Sequence, residues 1–219
     1  NKHEIGMLEL TSSIEKVLLG PERKSHILSS REKRIAAYHE AGHALAAASL
    51  PLTDSVRKVS IIARGRAAGY TLKLPSEDKH LRSKKEFVQE LSVLLGGYVA
   101  EKMVFDDVTT GAANDLEETT SLAQDLVMRY GMSEKLGPRT FGDQQEMIFL
   151  GKEIVTEKNY SEQVASQIDK EVSRFIKKAQ KTTEKILKEK RALLDKIAQR
   201  LIEKETIEKK EFEKLIKEG

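Results

Sequence analysis

The feature that most constrains the fold is the long apolar stripe of the last third of the chain. From Asn159 onward, Tyr160, Val164, Ile168, Val172, Phe175, Ala179, Thr183, Ile186 and Leu187 recur three or four residues apart. That spacing puts them on one face of an α-helix. Leu194, Ile197 and Leu201 continue the stripe beyond a predicted turn near Lys190. A stripe of this length is buried economically only against other helices. The one convincing β signal lies in "SVRKVSIIARGRAAGYTLKL", where Val56, Val59, Ile61 and Ile62 precede Gly65 and Gly69, and Tyr70, Leu72 and Leu74 follow. This reads as two strands around a glycine-containing turn. The predicted fold is mainly α: a helical bundle with one small β-sheet around 56–74 and long C-terminal helices.

The remaining segments fit that plan. Residues 1–19 carry helical spacing that stops at Gly20-Pro21, and a polar linker follows. Ser30 is the predicted N-cap of a helix ending near Pro51. A single helix is predicted from Ser83 to Phe105, with Gly96-Gly97 permitting a close neighbour. After "DDVTTGAAN", another helix is predicted to bury Leu116, Thr120, Ala123, Leu126, Val127 and Tyr130. "GMSEKLGPRTFGDQQEMIFLG" is irregular and long for a bare connection, a length common in ligand-covering loops.

Composition narrows the function. Charged residues make up 33% of the chain, the net charge is +3, and basic and acidic residues are mixed. No basic cluster alternates with aromatics, so no nucleic-acid partner is expected. With no cysteine, a disulfide framework, a thiolate metal site and a cysteine nucleophile are excluded, and a reducing compartment is compatible. No apolar run approaches the roughly 18 residues of a membrane span, and no signal peptide is seen. The chain opens inside helical sequence, which predicts a longer parent.

One helix carries chemistry. "AAYHEAGHALAAASL" sets His39, Glu40 and His43 in an alanine-rich apolar stretch. Residues four apart share a helix face, so His39 and His43 can point at one ion, while Glu40 sits about 100° round from His39. This is the H-E-x-x-H arrangement of zinc peptidases, in which the glutamate reaches a water rather than the metal. The plainer alternative is a pair of satisfied core histidines, but packing alone does not explain the polar burial cost. A third ligand is needed. Metzincins place a Gly and a His downstream where this chain has Ala46 and Ser49, which excludes them, and no Glu lies between His43 and Glu77. The open candidates are Glu77, Asp78, His80, Glu101, Asp106, Asp107 and Asp115. Asp106 and Asp107 read better as loop or capping acids. Asp115 has the best local setting: small residues precede it, and it opens a helix whose N–H groups favour a carboxylate.

"GPERKSHILSSREKRIAAYHEAGHALAA", "LLGGYVAEKMVF", "VTTGAANDLEETTSLA", "GMSEKLGP" and "FLGK" resemble successive segments of the protease domain of the FtsH family. These are membrane-anchored, ATP-dependent zinc metalloproteases of the AAA class. The resemblance runs closely from about Gly20 to Lys152 and more loosely through the C-terminal helices. It implies one zinc ion held by His39, His43 and Asp115, with Glu40 as catalytic base. It also implies that 1–20 ends the helical lid of an AAA module, 21–152 is the metalloprotease core, and 153–219 is the C-terminal helical part. ATP would bind only in the module upstream, because this chain has no G-x-x-x-x-G-K-[ST]. The implied partners are unfolded protein substrates and further copies in a homo-hexamer. Membrane contact would come only through helices upstream, with this domain on the cytoplasmic or equivalent organelle side. Two residues depart from the family pattern: Tyr98 stands where Arg is common and Asp106 where Gly is common.

The expected activity is hydrolysis of peptide bonds in unfolded or membrane-extracted protein. Strand residues Tyr70, Thr71 and Leu72 are candidates for pairing with an extended substrate, and Tyr38 and Tyr70 for stabilising the oxyanion. The competing reading is a non-enzymatic helical assembly domain with a vestigial zinc site, against which the intact Glu40 argues.

Overall fold

The helix that carries the two histidines begins one residue earlier than Ser30 suggests. Ser29 is its N-cap, accepting from the Glu32 amide at 3.2 Å while the Glu32 carboxylate accepts from the Ser29 amide at 2.8 Å. This reciprocal pair satisfies two amides that the first turn leaves open. The computed structural model describes residues 28–63, 69–74, 81–142 and 160–218, with Gly6, Ser13, Lys16 and Val17. The predicted stop at Gly20-Pro21, most of the helix before it, the hairpin tip at Gly65, and residues 143–159 lie outside the described residues.

In chain order the elements are α1 (Ser30–Ser49), β1 (Ser55–Ser60), β2 (Tyr70–Leu74), α2 (Lys84–Leu94), α3 (Gly96–Phe105), a 3₁₀ turn (Thr110–Ala112), α4 (Ala113–Gln124), α5 (Glu162–Glu189), α6 (Arg191–Lys204), β3 (Thr206–Glu208) and α7 (Lys209–Lys217). The architecture is mainly α with one small antiparallel sheet of order β2-β1-β3.

Helix α1 is the axis of the fold. Between Ala36 and Ala47 every residue except Tyr38 is buried, and a helix enclosed on all sides needs small side chains so that its neighbours can close in. The closest approach is to α3. A Cβ on Gly42 would overlap the carbonyl oxygen of Gly96, and one on Gly96 would lie 2.7 Å from the Gly42 carbonyl carbon and His43 Cα. Only glycine against glycine permits that backbone contact. It also accounts for the break in the predicted 83–105 helix. The chain turns at Leu95 (φ −80°, ψ 0°), so α2 and α3 pack separately while Gly96 and Gly97 meet α1.

Strand β1 pairs with β2 through Val59↔Thr71 and with β3 through Val59↔Ile207. The third strand was not apparent from sequence, being only three residues long and wedged between helices. The C-terminal stripe behaves as its spacing predicts: Ile168, Phe175, Ala179, Thr183 and Leu187 of α5 are buried, as are Leu194, Ile197 and Leu201 of α6. The chain turns at Lys190, the C-cap of α5.

Helix α4 corrects the predicted face. Thr119, Ala123, Leu126 and Val127 are buried, whereas Leu116, Thr120 and Tyr130 are exposed. The inward row starts from Asp115, so the helix is turned about one residue from its most apolar orientation. A π-helical segment, Asp125–Arg129, closes it, with the Tyr130 amide donating to the Asp125 carbonyl at 2.9 Å. Asp106 caps α3 with φ 53°. That is the left-handed conformation glycine adopts freely and Asp tolerates, which fits a position where the resembled family favours Gly. Tyr98, the other departure, packs half-buried against the core.

Candidate metal centre

His39 and His43 lie one turn apart on α1, 9% and 8% exposed. Their Nε2 atoms are 3.0 Å apart. Asp115 reaches them from the first turn of α4, with Oδ2 at 3.0 Å from His39 Nε2 and 3.3 Å from His43 Nε2. One ligand atom from each residue lies within 4.8 Å of the other two. Among the described residues this is the one such set of His, Asp and Glu. The turn before α4 sets its approach: Thr109 caps Thr110–Ala112, its hydroxyl accepting from the Gly111 amide at 3.2 Å.

A second layer of bonds aims the imidazoles. His39 Nδ1 donates to Glu101 Oε1 at 2.7 Å, and His43 Nδ1 donates to the Val93 carbonyl at 2.8 Å. With both Nδ1 atoms engaged outward, both Nε2 atoms face the shared space, the arrangement found around metal-bound histidine. Glu101 is 1% exposed, and its Oε2 accepts from the Thr109 amide at 2.7 Å. One buried carboxylate thus ties α1, α3 and the segment leading to Asp115. Glu101 was open as a third ligand from sequence; the structure places it behind His39 instead, on the side away from Asp115. Gly97 is part of the same construction, since a Cβ there would run into the His39 ring.

The electrostatics show that the cluster calls for positive charge. Burial opposes charging of His39, yet its hydrogen bonds with Asp115 and Glu101 push its pKa up to about 10. Burial likewise favours protonated Asp115, but the bonds to His39 and His43 hold its carboxyl well below the usual range. Two imidazole nitrogens and one carboxylate oxygen within reach of one point are a donor set that suits zinc. The residues present fit the ion.

Glu40 stands beside this set but belongs to a different contact. Its Oε2 accepts from Thr71 Oγ1 at 2.8 Å, and burial raises its pKa. A Cβ on Gly69 would lie 2.8 Å from Glu40 Oε1. Tyr70 and Leu72 are buried, so of the three strand residues singled out from sequence only Thr71 turns its side chain to Glu40. Tyr38 is committed elsewhere, its hydroxyl donating to Asp195 Oδ1 on α6 at 2.9 Å. Asp106 and Asp107 are terminal and loop acids, the latter accepting from the Val108 amide at 2.8 Å. Glu77, Asp78 and His80 lie outside the described residues. Sequence reasoning missed the supporting role of Glu101 and the partnership of Thr71 with Glu40. The glycine pair at 96–97 was the one signal that something had to come close.

Comparison with known proteins agrees with this geometry. The model of peptidase family M41 matches residues 26–215. The ATP-dependent zinc metalloprotease FtsH 1 of Thermomicrobium roseum is 52% identical over 218 residues, 100% of this chain and 33% of that protein. FtsH 1 of Sphaerobacter thermophilus is 51% identical over 218 residues, again 100% and 33%. FtsH of Caldicellulosiruptor bescii is 48% identical over 215 residues, 98% and 35%. The chain spans about a third of the length of these relatives. A family match running from the linker before α1 into α7, with relatives near half identity along the chain, makes this protein a member of peptidase family M41, alongside the FtsH zinc metalloproteases.

Proposed function

We propose that the chain is a zinc metalloendopeptidase domain that hydrolyses peptide bonds of unfolded or membrane-extracted proteins. The observation that carries this reading is the meeting of Asp115 from α4 with His39 and His43 on α1, the buried helix that also carries Glu40. His39 and His43 would hold zinc through Nε2 and Asp115 through Oδ2. When bound there, zinc supplies Lewis acidity and brings the pKa of a bound water to about 7. Glu40 accepts the proton of the attacking water on its carboxylate and returns it to the departing amine. Its burial strengthens it as a base. Glu101 and the Val93 carbonyl keep the imidazoles oriented throughout.

Strand β2 supports a route for substrate. It has β1 on one side and no strand partner on the other among the described residues. An open edge accepts an extended chain through backbone hydrogen bonds regardless of sequence, which suits unfolded protein. In this reading Tyr70, Thr71 and Leu72 contribute backbone, not side chains. Residues 1–20 end an AAA module that delivers substrate and binds ATP, 21–152 form the protease core, and 153–219 form its helical C-terminal part. The parent assembles as a homo-hexamer anchored in a membrane, with this domain on the cytoplasmic or equivalent organelle side. No helix among the described residues is long and apolar enough to cross a membrane, so the anchor would lie in other segments.

The test is cleavage of casein by the full-length parent and by its Glu40→Gln variant. The expected loss is about 10²–10⁴-fold in kcat with zinc content unchanged. Equal activity in both would remove Glu40 from the chemistry and turn the reading toward an assembly domain.

A further inference from the structure

We propose that Thr71, seated beside Gly69, is the positioning residue for Glu40: its hydroxyl holds one carboxylate oxygen and leaves the other presented for proton transfer. This rests on the reading of Glu40 as general base. A glutamate side chain has three rotatable bonds, and a base that wanders among rotamers loses the alignment that proton transfer needs. Glu40 is only 6% exposed, yet it is held within this space by a single side-chain donor. Thr71 Oγ1 donates to Oε2 at 2.8 Å and also lies 3.4 Å from the Glu40 backbone carbonyl, so it meets both ends of the same residue. Oε1 has no hydrogen-bond partner among the described residues.

The donor is itself held firmly. Thr71 lies in register opposite Val59 in the β1–β2 ladder, while its neighbours Tyr70 and Leu72 are buried on the opposite face. A slip of one residue would turn that pair outward, so the hydroxyl is fixed by the sheet and the core. Gly69 completes the cradle. Any Cβ there would lie 2.8 Å from Oε1, 2.9 Å from Cγ and 2.8 Å from the Ser60 carbonyl. The first has to displace the carboxylate, and the last is backbone that has nowhere to go. The role of this stretch of β2 is therefore to leave room for Glu40 at 69 and to grip it at 71.

The experiment compares full-length wild type, Thr71→Val, Thr71→Ser and Glu40→Gln in the zinc-loaded protein, reading kcat, KM, zinc content and Tm. Thr71→Val keeps shape and removes the hydroxyl. It is expected to lower kcat about tenfold or more, leaving KM and zinc content unchanged, and Thr71→Ser is expected to restore kcat. In crystals of the zinc-free protein, Glu40 is expected in one position in wild type and in more than one in Thr71→Val. The proposal is overturned if Thr71→Val keeps wild-type kcat while Glu40→Gln is inactive, if the loss appears in KM or zinc content instead, or if Glu40 stays in its single position. Full activity of Glu40→Gln would instead overturn the function on which the proposal rests. Should Thr71→Val fail to fold, Thr71→Ala against Thr71→Ser carries the same comparison.

Discussion

The candidate metal centre and the C-terminal helices are built on opposite packing principles. Around His39 and His43 the chain uses alanine and glycine, so that α1 and α3 touch backbone to backbone and polar side chains from several elements converge. In α5 and α6 it uses Phe175, Leu187, Leu194, Ile197 and Leu201, all 2% exposed or less, which interlock at ordinary helical spacing. The first design places atoms; the second supplies apolar burial. A change of one methyl group should therefore act on ligand geometry in one region, and a much larger deletion should act on stability alone in the other.

The largest expected effect tests the first half of that contrast. In Gly97→Ala the new Cβ meets the His39 ring, and repacking cannot absorb it because α1 is enclosed on all sides. Zinc affinity should fall by at least about 100-fold, with a stability loss of about 1–3 kcal/mol from overpacking, measured by competition with a chelator and by denaturant melts. Phe175→Ala should do the reverse. A cavity in the α5 core should cost about 3–5 kcal/mol, while zinc per folded chain stays unchanged. If both variants lost zinc and stability in the same proportion, the two regions would not be separable.

A smaller change sharpens the role of the buried carboxylates. Glu101→Gln keeps shape but removes the charge behind His39, and second-layer changes of this kind lower metal affinity about 10–100-fold. An unchanged affinity would reduce Glu101 to a packing residue. Glu171 is the matching case in the helical arm, also 1% exposed. It accepts from Arg174 Nε at 2.9 Å, Arg174 Nη2 at 2.7 Å and Ser133 Oγ at 2.7 Å, and the Arg174 bonds hold its pKa below the ordinary value. A carboxylate whose folded pKa is depressed stabilises the protein above its unfolded pKa of about 4.3, and that contribution is lost as pH falls through the folded value. Glu171→Gln should flatten this acid limb, narrowing the Tm difference between pH 7 and pH 3 by about 2–4 °C, with zinc binding at pH 7 unaffected.

Legibility from sequence followed the same division. The arm could be read because one long stripe carries its own instructions: α5 and α6 turn that stripe to the core, fully burying most of it and partly burying Val164, Val172 and Ile186, and the chain turns at Lys190. At the site, the 39/43 spacing and the adjacent Glu40 were legible because a single helix decides them. Its third corner was not. Local physics left seven acids and histidines open with Asp115 the best placed, and the family resemblance turned that preference into an assignment. The structure brings it to the histidines across 76 residues through contacts that no local pattern encodes. The predicted apolar face of α4 was off for the same reason, since presenting Asp115 inward exposes Leu116 and Tyr130.

By itself, then, the sequence determined a mainly helical chain, the helix with two imidazoles on one face, and the alanines and glycines that let other elements approach it. Those properties depend on neighbours within one or two turns, where periodicity and side-chain size act directly. Tertiary structure decided which carboxylate completes the set, which one stands behind His39, and which hydroxyl meets Glu40. Each of those is a contact between distant segments, set by how closely glycine lets backbones meet, and no single segment carries that information.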